Sequence, residues 1–213
     1  MRGLIISLLL ASTVALSASR DASARADDNL TVVIKLVQAP DPQASVGLGE
    51  WSQAFRTHLD VVSYETMRRY FRNRTLRVWS SAIVDTPTAP QMAAWWREQE
   101  AIYVVSATAT APTSARTVIQ STVYMGNFKG HLTSPMFTLR QEIRAADYRS
   151  SQKTLEAITF YGLGNQALAG GNGRVACALY RRSRQALDDV ATLATGAHTL
   201  AEALAHSRSD IRC

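Results

Sequence analysis

The amino-acid sequence predicts an α+β protein: a small α/β domain with a mixed sheet, in the order β-α-β-α-β-β, followed by an antiparallel helical segment. Three observations lead there. Short runs rich in β-branched residues alternate with helical stripes up to about residue 125. The last two of these runs are joined by a connection so short that they must form a hairpin. Beyond Pro135, alanine, leucine and arginine recur at helical spacing with almost no strand signal.

The first strand is LTVVIKLV, Leu30 to Val37, where alternation and β-branching coincide. APDPQASVGLG supplies two prolines and two glycines and reads as a loop. From Glu50, Trp51, Phe55, Leu59, Val62, Met67, Tyr70 and Phe71 keep mostly three- and four-residue intervals, a helix ending near Asn73. TLRVWSSAIV returns to strand character until the prolines of DTPTAP stop it. QMAAWWREQE is a short helix with Pro90 in its first turn, where a missing N–H costs nothing. AIYVVSATAT and RTVIQSTVYM complete the series around APTSA. Strands joined through a helix pair in parallel and the hairpin pairs antiparallel, so the sheet is mixed. The turn formers of GNFKGHLTSP mark a boundary between an α/β domain at 27–130 and a helical segment at 131–213.

Residues 1–26 follow a secretory plan: Arg2, an apolar run from Leu4 to Leu16, then small residues, with cleavage expected before Asp27. A spanning helix needs about 20 apolar residues, and neither this run nor any later one is long enough. The expected location is therefore the periplasm, with secretion as the alternative and no stable membrane span after cleavage. Removing Arg2, Arg20, Arg25 and Asp21 takes the formal charge from +6 to +4. That mild balance, without a recognisable module, argues against a nucleic-acid partner. The densest basic run is MRRYFRNRTLR, with Arg68, Arg69, Arg72, Arg74 and Arg77 around Tyr70 and Phe71. It can meet phosphate or anionic lipid, or it can be the solvated end of a helix. Cys177 and Cys213 can pair in an oxidising compartment, and Cys177 equally suits a small buried apolar position.

FYGLGNQALAGGNGRVACALYRRSRQAL, Phe160 to Leu187, reads as two amphipathic helices joined by glycines. Gly164 lets a neighbouring ring approach, and Gly171 permits the turn. Phe160, Leu163, Gly164, Gly171, Ala176, Tyr180 and Ser183 fall, in order, where the tetratricopeptide repeat pattern places its large and small residues, so the stretch at about 154–188 resembles one such repeat. Ala167 stands where that family prefers tyrosine, Ser183 replaces alanine, and the late proline is absent. No second copy follows, only the helical run TLATGAHTLAEALAHSRSDI, which suits a capping helix. The resemblance implies a groove for an extended protein or peptide partner, lined by Ile158, Tyr161, Asn165, Leu168 and Ala169. Packing of the same residues on the α/β domain is the other arrangement. By its order of elements, the stretch from Leu30 to Gly126 resembles the exported α/β domains of the FlgO, CsgG and TolB amino-terminal group, which implies a role in envelope assembly without catalysis.

Catalysis leaves recognisable spacing, and none stands out here. His58, His131, His198 and His206 are scattered, and no metal-ligand spacing is present. The glycines Gly47 and Gly49 lack the lysine and hydroxyl of a phosphate loop. Glu98 with Glu100 and Asp188 with Asp189 read as solvated helix faces. No Gly-x-Ser-x-Gly elbow occurs. The sequence therefore assigns no catalytic residue, metal or cofactor. Export, repeat spacing and the lack of catalytic clusters point to a non-enzymatic envelope protein that holds a protein partner. The alternative is a periplasmic small-ligand binder or enzyme with its site at the strand carboxyl ends, near Gly47 to Gly49 and Ser80 to Thr88.

Overall fold

A computed structural model of the chain describes residues 29–72, 74–113, 116–126, 136–144 and 148–188. The expected signal peptide, most of the boundary segment, His131, His198, His206, Asp189, Cys213 and the final helical run lie outside the described residues. Within them the chain forms a five-stranded mixed sheet with four helices. The order is β1 (Asn29–Val37), α1 (Pro42–Tyr70), β2 (Thr75–Ile83), α2 (Ala89–Glu98), β3 (Ala101–Thr113), β4 (Arg116–Tyr124), β5 (Met136–Arg144), α3 (Arg149–Ala169) and α4 (Gly173–Asp188). Among the described residues no helix is long and apolar enough to cross a membrane.

The sheet runs β2-β1-β3-β4-β5. β1 pairs in parallel with β2 and β3, while β3–β4 and β4–β5 are antiparallel. Two expectations need correction. β5 is a strand in a region read as wholly helical, and it extends the sheet past the expected boundary at residue 130. Phe137, Leu139 and Ile143 point into the core, so the strand carries its own two-residue period under residues that individually favour helix. α1 also begins earlier than expected, at Pro42: Asp41 accepts the Gln43 N–H at 3.1 Å and Pro42 occupies the first turn. What reads as a loop, with Gly47 and Gly49, is thus two turns of helix started by an N-cap and a proline.

Alternation along β1 sorts the molecule into layers. Leu30, Val32 and Ile34 share one core with Trp51, Phe55 and Leu59 of α1, Ile158, Tyr161 and Leu163 of α3, and Leu179 and Tyr180 of α4. The described part of the helical segment, α3 and α4, is therefore built onto the sheet and shares its core. Polar bonds tie the layers together: Trp51 Nε1 donates to Ser151 Oγ at 2.6 Å. Thr159 Oγ1 donates to the Leu155 carbonyl, so the Tyr103 hydroxyl, 2.8 Å from Thr159 Oγ1, is the donor in that pair. Burial raises the Tyr103 phenol pKa well above its ordinary value. At the start of α3, Tyr148 donates to Glu50 at 2.8 Å. Burial and then the Glu50 carboxylate push its phenol pKa up to about 12.

On the opposite face α2 is the one helix among the described residues. Its Met92 is fully buried with Val33, Ala101 and Val104, and Trp95 and Trp96 pack at the border. β2 is an edge strand with most residues exposed, Trp79 among them at 57%.

Candidate functional site

The residues of the expected repeat do meet one another. A Cβ on Gly164 would stand 2.5 Å from Tyr180 Cε1, so only glycine admits that ring. Ser183 Oγ donates to the Ala157 carbonyl at 2.6 Å, and Ala176 is fully buried. Gly171 turns the chain with φ +76°. Phe160 and Leu163 belong to the common core. Cys177 is disulfide-bonded.

The expected partner-binding face is not free. Tyr161 has no exposed surface, its ring 5.5 Å from that of Tyr180, and Ile158 is equally buried. Leu168 is half-buried against the core. Asn165, 9% exposed, accepts the Tyr180 hydroxyl at 2.7 Å. As a correction, then, Tyr161 is not offered to a partner: α3 turns this side of the helix onto the sheet and α4. The bond uses one of the two lone pairs of Asn165 Oδ1, and its amide N–H groups are not engaged by it.

Asn165 also lines a recess at the amino ends of β1 and β3. Two adjoining cavities, about 320 Å³ and 170 Å³, share Trp96 and Gln166. Several elements build them, β3 among them through Ala101 and Ile102. β1 and the approach to β2 bring Asn29 and Arg74, and the end of α2 brings Trp96, Arg97 and Glu100. α3 brings Asn165 and Gln166. The register of β1 on β3 shifts between Thr31 and Val32, which leaves Ile102 unpaired beside the smaller cavity. Glu100 takes φ 46°, a left-handed conformation that few residues other than glycine adopt.

Polar atoms of this recess are left over. Trp96 Nε1 is buried with no hydrogen-bond partner among the described residues. Such a group costs about 1–3 kcal/mol if nothing satisfies it. The ring lies against Gly126, where any side chain would collide with it. The Arg74 and Arg97 side chains make no ion pair or hydrogen bond with other described residues. The recess thus presents indole, amide and guanidinium donors beside one carboxylate, Glu100, and suits a ligand rich in acceptors: a carboxylate or peptide carbonyls. Among the described residues lining it there is no nucleophile bonded to a base.

Sequence reasoning missed Trp96, Arg97, Gln166 and Asn29 as site residues. Arg74 and Glu100 were noticed only as part of a basic run and of an acidic pair. The adjacent Trp95 and Trp96 at the end of a short helix were the one local signal. At the other site considered, Gly47 is buried against Thr117 inside α1, and Lys35 Nζ donates to Ser81 Oγ at 2.8 Å. No protein-family model, curated protein or solved structure matches the chain.

Proposed function

We propose that the chain is a non-enzymatic exported protein of the bacterial envelope that holds an acceptor-rich segment of a protein partner in the recess at the amino ends of β1 and β3. One observation carries the reading: the Trp96 indole N–H is buried without a partner at the junction of two cavities. A backbone carbonyl or terminal carboxylate entering there would satisfy it, with Arg97 and the Asn165 and Gln166 amides as neighbours. α3 and α4 act in this reading as a tetratricopeptide-like hairpin used as a brace. α3 lines the recess, and the face it shares with α4 stays filled.

The test is a photo-crosslinking residue placed at Gln166 in the intact chain. Expected are adducts to a protein, weakened about fivefold by Trp96→Phe, the worth of about 1 kcal/mol of hydrogen bonding. The free protein's stability should change by less than about 1 kcal/mol, because no existing bond is removed. Labelling at Gln166 no stronger than at exposed Gln120 would refute the proposal. A second reading, a small-ligand site or enzyme on the open sheet face, rests on Lys35. Its Nζ lies 4.7 Å from the centre of the Trp95 ring and binds Ser81. Thermal stabilisation by a small anion, abolished by Lys35→Met and kept by Trp96→Phe, would favour it.

A further inference from the structure

A third cavity, about 380 Å³, lies between the last turns of α1 and the start of β2. Met67, 7% exposed, and half-buried Leu76 give it an apolar floor. Arg68, Arg72 and Arg74 line it with a single acid, Asp60. None of these three guanidiniums has an ion pair or hydrogen bond among the described residues. The α1 carboxyl end accounts for only about half a unit of negative charge. Arg69 already lies in that last turn with Arg68, and Arg72 and Arg74 lie beyond it. Three unpaired cations share this cavity with one carboxylate, and a further anion among them would lower their mutual repulsion.

An apolar element adjoins the charge. Val61 and Tyr64 are 68% and 67% exposed. With Arg68 they follow three- and four-residue spacing and so form one stripe on α1. Exposed apolar side chains beside unpaired arginines match a membrane surface of anionic lipid, where the valine and the tyrosine ring enter the interface and the guanidiniums meet phosphate.

We propose that this cavity receives the phosphate of an anionic phospholipid headgroup and docks the protein on a membrane surface, with Val61 and Tyr64 entering the interfacial layer. The site is separate from the Trp96 recess apart from Arg74, which lines both. The test therefore uses Arg68 and Arg72, both exposed, whose loss leaves the core intact.

The experiment is co-sedimentation of the chain, purified as its cells process it, with phosphatidylglycerol–phosphatidylcholine vesicles and with pure phosphatidylcholine vesicles. Expected is binding to the anionic vesicles that weakens with salt. It should fall about tenfold or more in the Arg68→Gln/Arg72→Gln double variant, at about 1 kcal/mol per arginine. It should fall several-fold in Tyr64→Ser and stay constant in Arg140→Gln, a control at an exposed arginine of β5. Circular dichroism and thermal midpoints must match across the variants. Three results overturn the proposal: no preference for anionic vesicles, an equal loss in Arg140→Gln, or glycerol phosphate binding to the soluble protein without vesicle binding. The last would make a soluble phosphate ester the ligand.

Discussion

The two faces of the sheet are made from the same strands and have opposite fates. On one, Leu30, Val32 and Ile34 of β1 meet α1, α3 and α4 in a continuous apolar core. On the other, successive rows change character. Trp79, Val33, Val104, Tyr124 and Met136 lie side by side across the five strands, and the next row is Ser81, Lys35, Ser106, Thr122 and Thr138. Among the described residues, only α2 covers this side. The row packed against α2 is apolar, and in the next row hydroxyls with one lysine take over. The difference teaches that coverage, more than strand propensity, decides which side chains a sheet face can carry.

The comparison predicts graded losses of stability. Trp51→Ala, on the fully covered face, removes a ring that is 1% exposed, stacked on Phe55 and bonded to Ser151. It should cost about 3–5 kcal/mol in urea denaturation; a loss under about 1 would mean that this core is not close-packed. Gly164→Ala should cost about 1–3 kcal/mol, because Tyr180 must leave its place. Pairing it with Tyr180→Ala should recover part of that loss in a double-mutant cycle.

A smaller effect comes from the rim of the same face, where His58 Nε2 and Glu156 Oε2 lie 2.8 Å apart and Lys153 reaches the same oxygen at 3.2 Å. Burial works to raise the Glu156 pKa, and the bonds from His58 and Lys153 outweigh it, so the carboxyl sits below its ordinary 4.5. A group shifted down in the folded state contributes stability that is complete above its unfolded pKa and is lost as the pH falls through the folded one. Glu156→Gln should therefore cost about 1–2 kcal/mol near neutrality. It should also flatten the acid side of the stability profile below about pH 4.5; an unchanged acid limb would show that the pair contributes nothing there. The smallest effect belongs to the open face. Lys35→Met removes one exposed hydrogen bond and a contact with Trp95 and should cost about 0.5 kcal/mol. A loss several times larger would mean that the face is covered in solution.

Much of this architecture was legible beforehand. The alternation of Leu30 to Val37, the Pro90 start of α2 and the hairpin of β3 and β4 are local patterns, and local backbone preferences decide them. β5 was not legible, because Leu139, Arg140, Gln141 and Glu142 are helix formers that become a strand through pairing with β4. The start of α1 was overlooked because Asp41-Pro42 serves loops and helix starts alike. Within the candidate site, Asn165 was identified and Trp96 was not. Its significance comes from a bond it fails to make, and no spacing records that.

By itself the sequence determined which segments are strands or helices in the first half, and that Gly164, Ala176, Tyr180 and Ser183 would let two helices nestle. Both depend on contacts between residues near in the chain, whose periodicity is written in residue order. Only the tertiary structure decided which side of α3 meets the sheet, and hence that Tyr161 is buried. Only it brought Asn29, Arg74, Trp96 and Gln166 to one recess. A helix with apolar residues around most of its circumference satisfies the burial drive in several orientations, and the choice among them depends on the shape of distant partners.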